Sequence, residues 1–176
     1  MNFTIIDEKK FKNNLEFFAN NIGYVYNLDD YDTLKANVKG RYNLTRDNYQ
    51  SIKQNRYNSV FKECQDNFNE LHDRYFLSIA YEDRIYAIAC FCINDDYCFI
   101  DGVETQINHR NQGLAKQVIK NGLKEISVEA KLQTSIGNFP AQNLYQKLGF
   151  KQTEQDDKFV YFSLPYAKQN VNSKQK

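Results

Sequence analysis

The sequence predicts one α/β domain in which helices cover both faces of a β-sheet. Three β-rich runs, at 74–81, 85–93 and 97–106, are separated by short polar turns, which is typical of a meander. The middle run is almost continuously apolar, as expected of a strand that is covered on both sides. Apolar residues recur at helical spacing over 115–126. With 176 residues the chain is long enough for a single domain with a real core.

The front of the chain predicts a strand followed by a helix. Residues 3–6 have the composition of a strand, and Asp7 is placed to cap a helix that ends at Gly23. The residues at helical spacing are predicted to form the buried face of this helix: Phe11, Leu15, Phe18 and Ile22. This segment is therefore expected to pack against the sheet.

The region between this helix and the meander is predicted to be mostly helical. The stretch 24–32 is acidic and aromatic, and either Asp29 or Asp30 is expected to cap a helix that ends near Gly40. Apolar residues then recur at roughly helical spacing over 45–71, which fits one long helix or two shorter ones.

The back half predicts an alternation of strands and helices. Residues 132–136 form a strand and 138–148 a short helix. A closing hairpin is expected from 151–154 and 159–164. The polar residues of 166–176 predict a flexible C-terminal tail.

Composition argues against several classes of protein. The 23 lysines and arginines balance 22 aspartates and glutamates, which predicts no nucleic-acid partner. No run is apolar enough to cross a membrane, and the first residues lead into charged ones, so a cytoplasmic location without membrane contact is expected. The four cysteines lie mostly in apolar runs, and no histidine stands at ligand spacing. This pattern predicts buried thiols and no metal site.

The stretch 103–115 predicts a site for phosphate groups. A strand turns through a small loop at Gly113 into the helix over 115–126. A helix N-terminus presents unpaired N–H groups and a partial positive charge, and a glycine lets the backbone approach a ligand closely. Arg110 adds a full positive charge. A single glycine in such a turn is weak evidence by itself, because many strand-to-helix turns bind nothing.

A second motif makes this interpretation specific. Residues 138–150 predict a helix with Pro140 in its first turn and Gly149 at its end. Together the two segments resemble the GNAT acetyltransferase superfamily. The family's pyrophosphate loop, R/Q-x-x-G-x-G/A, is matched by Arg110, Gly113 and Ala115. Its later signature is matched by Asn138, Ala141, Tyr145, Leu148, Gly149 and Phe150.

The resemblance implies a mixed, mostly antiparallel, twisted sheet that binds acetyl-CoA as co-substrate. The strand containing Gly102 is expected to splay from its neighbour to admit the pantetheine arm, and the glycine marks a bulge or a close backbone approach. The cofactor is expected to contact this strand, the phosphate loop and the start of the later helix. The residues concerned are Val103, Thr105, Arg110, Asn111, Gln112, Gly113, Leu114, Ala115 and Asn138. Asn138 either caps its helix or contacts the cofactor, and both alternatives stay open.

The resemblance assigns the general acid to Tyr145, whose phenol would protonate the departing thiolate. Spacing alone favours a core aromatic residue at this position. The general base is Glu104, which is favoured, or Asp101, or a water without a dedicated base. Alternation along the strand sends these two carboxylates to opposite faces unless a bulge at Gly102 resets the phase. No cysteine has a histidine placed to activate it, so we expect direct transfer.

The expected reaction is acetyl transfer to a primary amine, with a small cationic amine as the first candidate acceptor. The acidic and aromatic residues of 24–32 favour it, since such groups attract a cation. Residues 24–73 are accordingly predicted to be a helical acceptor-side region of one domain spanning 1–165. The alternatives are a protein N-terminus or lysine as acceptor, or a non-catalytic acyl-CoA-binding module. A homodimer is compatible with the resemblance, because dimers are common in the family.

Overall fold

The computed structural model describes residues 1–38, 43–71 and 74–166. Within these residues the chain forms one seven-stranded sheet and six α-helices. The strands are β1 (Asn2–Ile6), β2 (Arg74–Tyr81), β3 (Ile85–Ile93), β4 (Tyr97–Thr105), β5 (Glu129–Ser135), β6 (Lys151–Gln155) and β7 (Phe159–Leu164). The helices are α1 (Glu8–Asn13), α2 (Leu15–Val25), α3 (Tyr31–Val38), α4 (Tyr49–Asp66), α5 (Leu114–Leu123) and α6 (Phe139–Lys147). A π-helical turn, Asn67–Leu71, extends α4, and a 3₁₀ turn, Ile107–His109, precedes α5.

The sheet has the strand order β1-β2-β3-β4-β5-β7-β6. Strands β4 and β5 pair in parallel, and the other neighbouring strands pair antiparallel. The parallel pair requires a crossover, and α5 provides it. The predicted mixed, mostly antiparallel sheet is therefore confirmed.

Strand β3 is covered on both faces, which explains its unbroken apolar sequence. Its side chains alternate between two buried clusters: Phe91 packs with Val118 and Ile119 of α5, whereas Ile88 packs with Ile22 of α2 on the other face. The first cluster also contains side chains of α6, and the second contains side chains of α1, α3 and α4. The expectation of helices on both faces is confirmed.

The first helical segment differs from its prediction. Asp7 does cap α1, accepting a hydrogen bond from the backbone of Lys10, but the helix breaks at Asn14 and resumes as α2. Leu15, predicted to be buried, is 40% exposed after this break. Gly23 lies inside α2 and does not end it. A Cβ on Gly23 would lie 2.3 Å from the Tyr57 ring, so this glycine serves the close packing of α2 on α4.

Other predictions about the front half have mixed outcomes. Asp30 caps α3 through the backbone N–H of Thr33, and residues 49–66 form a single long helix. The predicted helix end near Gly40 and the tail beyond Tyr166 lie outside the described residues. No helix in the described part is long and apolar enough to span a membrane. All four cysteines are free thiols, and Cys92 is less deeply buried than the other three.

The contact between α5 and β3 generates a stability prediction. A Cβ on Gly122 would lie 2.1 Å from the Phe91 ring, which is itself stacked on Phe76 with ring centroids 4.7 Å apart. Overpacking costs about 1–3 kcal/mol, and alanine brings a gain of about 1 kcal/mol to a helix interior. We therefore expect Gly122→Ala to lower the free energy of unfolding by up to about 2 kcal/mol. Urea denaturation monitored by circular dichroism measures the difference.

Gly137→Ala is the matched control, since a Cβ there meets no atom within 4 Å. Its stability should stay within about 0.5 kcal/mol of the wild type. Equal stability of the two alanine variants would contradict the close packing of α5 on β3.

Candidate active site

Strand β4 carries a one-residue bulge at Gly102. Asp101 and Glu104 are three residues apart on β4, whereas their partners on β3 are two residues apart. Gly102 has φ +55°, and a Cβ there would lie 2.7 Å from the Tyr26 hydroxyl. The backbone angle and the lack of space both favour glycine, and the predicted bulge is confirmed.

The bulge brings Asp101 and Glu104 to one face of the sheet. Their partners on β3 are Cys90 and Ile88, which both belong to the core on the side of α2 and α4. Simple strand alternation would send the two carboxylates to opposite faces, but the bulge at Gly102 resets the phase, which is the exception that the sequence analysis allowed. Asp101 is exposed, and Glu104 is half-buried.

Strands β4 and β5 separate shortly after they meet. The pairing joins Tyr97, Cys98 and Phe99 to β5, and it ends there. Beyond this point β5 pairs with β7 alone, through Ser135. The backbone of residues 100–105 is consequently open on the side that faces β5, as expected for a splayed strand. The carboxylates of the bulge stand beside this opening.

Tyr145 of α6 is buried in the core cluster on the α5 side of the sheet. Its ring packs against Phe150 and Phe162, with centroids 6.2 Å and 5.7 Å away. Burial raises the pKa of Tyr145 to about 12, and the negative charges of Glu104 and Asp101 add to this shift. The phenol therefore lies within electrostatic range of both carboxylates and remains protonated at neutral pH.

The pKa of Glu104 lies close to neutral pH. Burial raises its pKa to about 7, although the positive charge of Arg110 acts in the opposite direction. Arg110 donates a hydrogen bond from Nε to the carbonyl oxygen of Thr105, 3.4 Å away. It also helps to lower the pKa of Asp30, after the hydrogen bonds from Thr33. The guanidinium therefore lies between the end of β4 and the start of α3.

The loop before α5 has the geometry of an anion site. Asn111 and Gly113 adopt left-handed conformations, with φ 62° and φ 78°, and α5 starts directly after Gly113. No side chain caps this helix, and a Cβ on Gly113 would meet nothing within 4 Å. The side chain of Leu114 is buried, whereas Gln112 is exposed at the surface of the loop. The first N–H groups of α5 consequently face open space.

Comparison with protein families shows which family the chain belongs to. Residues 40–150 match the model of the acetyltransferase (GNAT) family, and this range contains the bulge, the loop and Tyr145. The chain belongs to the GNAT acetyltransferase family. It is thus an acyltransferase of this type, and acetyl-CoA is the co-substrate of the family.

Solved GNAT structures share the fold at low sequence identity. An acetyltransferase from Thermus thermophilus is 12% identical with a TM-score of 0.65, over 94% of this chain and 97% of that chain. The PaiA N-acetyltransferase from Thermoplasma acidophilum, solved with coenzyme A, is 14% identical with a TM-score of 0.59, over 94% and 100%. The ribosomal-protein-S18-alanine N-acetyltransferase from Escherichia coli is 15% identical with a TM-score of 0.56, over 94% of each chain. No curated sequence is significantly similar to the chain.

Three of the residues that are expected to contact the cofactor also have structural roles. Asn138 accepts a hydrogen bond from the backbone N–H of Ala141 at 3.4 Å and so caps α6. Val103 follows the bulge and packs on the core beneath α5, and Thr105 pairs with Ala87 of β3. These contacts fix the strand and the helix that border the opening between β4 and β5.

Two of the three aspartates of 24–32 are engaged within the protein, and the third, Asp32, is exposed. Asp29 forms an ion pair with Lys53 and accepts a hydrogen bond from the Tyr57 hydroxyl at 2.7 Å. The Tyr24 ring already contacts a cation of the protein, since the guanidinium of Arg84 lies 4.7 Å from the ring centroid. With Asp30 acting as a cap, this stretch offers an acceptor less free negative charge than the sequence alone suggests.

Two residues of the same stretch reach the end of β4: Tyr26, one of the aromatic residues selected as acceptor-side candidates, and Asn27, which was not selected from the sequence. The Tyr26 hydroxyl lies under Gly102, and Asn27 is hydrogen-bonded to both Thr105 and Ile107. Asn27 has φ 58°, and an asparagine that follows a helix is a known candidate for this left-handed conformation. That signal was present in the sequence. The partners of Asn27, far away along the chain, were not predictable from it.

The raised pKa of Glu104 generates a prediction about pH. The folded protein retains a proton on this carboxyl that the unfolded chain, with an ordinary value of 4.5, has already released. The resulting stabilisation is present in acid and is lost as the pH rises through about 7. We expect Glu104→Gln to remove this loss and to abolish a carboxyl titration near pH 7 in the carbon NMR spectrum.

Glu154→Gln in the exposed strand β6 is the control and should keep the pH dependence of the wild type. If Glu104→Gln leaves the carboxyl titration near pH 7 in place, another group is responsible for it.

Proposed function

We propose that this GNAT protein transfers the acetyl group of acetyl-CoA directly to a small cationic primary amine. The observation that carries the proposal is the bulge at Gly102, which sets Asp101 and Glu104 on one face of β4. The negative charges of both carboxylates raise the pKa of the Tyr145 phenol, which supports a shared site beside the opening between β4 and β5. A base and an acid on opposite sides of a reacting thioester are what amine acetylation requires.

Acetyl-CoA is proposed to bind through the backbone of the loop before α5. The pyrophosphate would accept hydrogen bonds from the N–H groups of Gln112, Gly113, Leu114 and Ala115, with support from the helix dipole. The left-handed φ of Asn111 and Gly113 turns the loop into this shape. The pantetheine arm would lie along the open edge of β4 at Val103 and Thr105. Arg110 and Asn138 border this path.

The proposed reaction balances its protons between two side chains. The amine nitrogen attacks the thioester carbonyl carbon, and the carboxylate of Glu104 takes the proton that the amine loses. The carbon–sulfur bond then breaks, and Tyr145 gives its proton to the departing thiolate. A base with a pKa of about 7 suits its role near neutral pH, and a phenol with a pKa of about 12 carries the proton that the thiolate needs. Asp101 provides a second negative charge near the amine.

The thiols support direct transfer over a cysteine intermediate. Burial raises the pKa of Cys90 and Cys98 to about 12 and that of Cys92 to about 11, so these groups are protonated at neutral pH. His109 shares a hydrogen bond with Gln106 instead of contacting a thiol. A protonated cysteine without a base is a poor nucleophile.

A cationic acceptor is favoured by the charge beside the opening. A protonated amine gains Coulomb energy from Asp101 and ionised Glu104 as it approaches. The side of the sheet that carries these groups is also covered by α2 and α4, so we propose residues 24–73 as the acceptor-side region of a domain spanning 1–165. The fold itself does not select an acceptor, because one structural neighbour is named for an alanine of a ribosomal protein.

An amine panel tests the proposed function. Polyamines, an aminoglycoside, a lysine peptide and a peptide with a free N-terminal alanine are incubated with the protein and acetyl-CoA. We expect thiol release with the small polycations and their acetylated products in the mass spectrum, with much slower release for both peptides. Faster reaction of a peptide would assign a protein acceptor instead. Binding of acetyl-CoA without turnover of any amine would indicate a non-catalytic module.

Gly113→Val is the matched negative control for this assay. The β-branched side chain opposes the φ of 78° and occupies the space in front of α5, but it meets no protein atom. The variant should stay folded and release no thiol.

Tyr145→Phe tests the acid. The ring packing is kept and the proton is removed, so kcat should fall by about 10²- to 10⁴-fold while the affinity for acetyl-CoA and the melting temperature change little. Tyr161→Phe on β7 is the control: it removes a hydroxyl that is hydrogen-bonded to Asp156, and it should keep the wild-type kcat. A loss of less than about threefold in Tyr145→Phe, with chemistry rate-limiting, would mean that water protonates the thiolate.

A further inference from the structure

Asn27 occupies an unusual position just after α2. It is 2% exposed and has a left-handed backbone with φ 58°. Its backbone is tied on both sides, because its N–H donates to the carbonyl of Tyr24 and its own carbonyl accepts from the N–H of Asp30. The side chain therefore leaves the helix end in a fixed direction. Asparagine tolerates this conformation better than most residues that carry a Cβ.

The amide of Asn27 joins three segments of the chain. Its nitrogen Nδ2 donates to the carbonyl oxygens of Val25 and Thr105, each 3.2 Å away. Its oxygen Oδ1 accepts from the backbone N–H of Ile107. Both amide hydrogens and the amide oxygen are thus used inside the protein. Two of the three bonds reach across the fold to the end of β4.

The atoms that Asn27 holds belong to the path between the acid–base groups and the donor loop. Thr105 follows Glu104 directly, and its carbonyl oxygen also accepts the hydrogen bond from Arg110. Ile107 begins the 3₁₀ turn that leads into the loop before α5. On the other side, α2 covers the face of the sheet that carries the carboxylates. One buried amide therefore connects the acceptor side to the donor side.

We propose that Asn27 is a positioning residue, which holds the end of β4 and the donor loop at a fixed distance from the acceptor-side helix α2. This inference rests on the proposed function, since the distance matters because the amine must meet the acetyl group. In this role Asn27 contacts neither substrate. It acts by fixing Thr105 and Ile107, whose displacement would move Glu104 and the donor loop relative to each other. A misplacement of reacting groups is costly in rate even when it is small.

Asn27→Gly tests the proposal with little backbone strain. Glycine adopts φ 58° readily, so the variant removes the three side-chain hydrogen bonds and keeps the turn. We expect the dissociation constant for coenzyme A to rise by about tenfold and kcat to fall by a similar factor, on the scale of one to two lost hydrogen bonds. Calorimetry with coenzyme A and steady-state kinetics give the two values at a temperature where the variant is folded.

Asn21→Ala is the matched control. Asn21 is a buried asparagine on the same helix, and its amide accepts from the backbone N–H of Ile85 and donates to the carbonyl of Phe17, away from the donor loop. We expect it to lower the melting temperature and to leave coenzyme A affinity and kcat at the wild-type values. Equal losses in both variants would show that Asn27 matters only for stability. Wild-type affinity and kcat in Asn27→Gly would also overturn the proposal.

Calorimetry separates this inference from the proposed function. Coenzyme A binding reports the position of the loop without any amine, so weaker binding in Asn27→Gly supports the inference even if no amine of the panel is acetylated. Amide hydrogen exchange gives a second reading. Protection at the Ile107 N–H should be lost in Asn27→Gly and kept in Asn21→Ala, and unchanged protection in both variants would overturn the proposed link.

Discussion

The register shift of β4 is the constraint on which the site depends. One residue more than β3 requires is inserted at Gly102, and this sets Asp101 and Glu104 on the same face. In an unbroken strand they would point to opposite faces, and one of them would enter the core beneath α5. The bulge costs local strand pairing and requires a left-handed residue. The end of β4 is held by the pairing of Thr105 with β3 and by the hydrogen bond that Asn27 donates to the Thr105 carbonyl oxygen.

Two further glycines allow close packing of helices on the two sides of the sheet. At Gly122 the absence of a side chain lets α5 approach the Phe91 ring, and at Gly23 it lets α2 approach the Tyr57 ring of α4. Neither has the positive φ of Gly102, so their role is close packing. Close-packed interiors have little free volume, so a side chain at either glycine would displace the helix that carries it.

The sequence predicts the back half of the chain better than the front half, and the reason is physical. The strands, α5 and α6 are specified by local patterns: an alternating or continuous apolar run, a glycine loop, and a proline start with a glycine end. The front half is specified by distant contacts. Gly23 looks like a helix end until Tyr57 packs against it, and Asp29 looks like a free carboxylate until Lys53 pairs with it. The pKa of Glu104 likewise depends on burial that no local pattern reports.

The charge on Glu104 affects the acidity of Tyr145 during the proposed reaction. The negative charge of Glu104 raises the pKa of Tyr145, because the two groups lie within electrostatic range in partly buried surroundings. While Glu104 is ionised, the phenol therefore holds its proton more tightly. Once Glu104 has accepted the amine proton it is neutral, and one source of the raised pKa of Tyr145 disappears. The loss of that charge makes the phenol a stronger acid at the step in which the thiolate departs. The coupling thus favours deprotonation of the amine before protonation of the leaving group, which is the order that direct transfer needs.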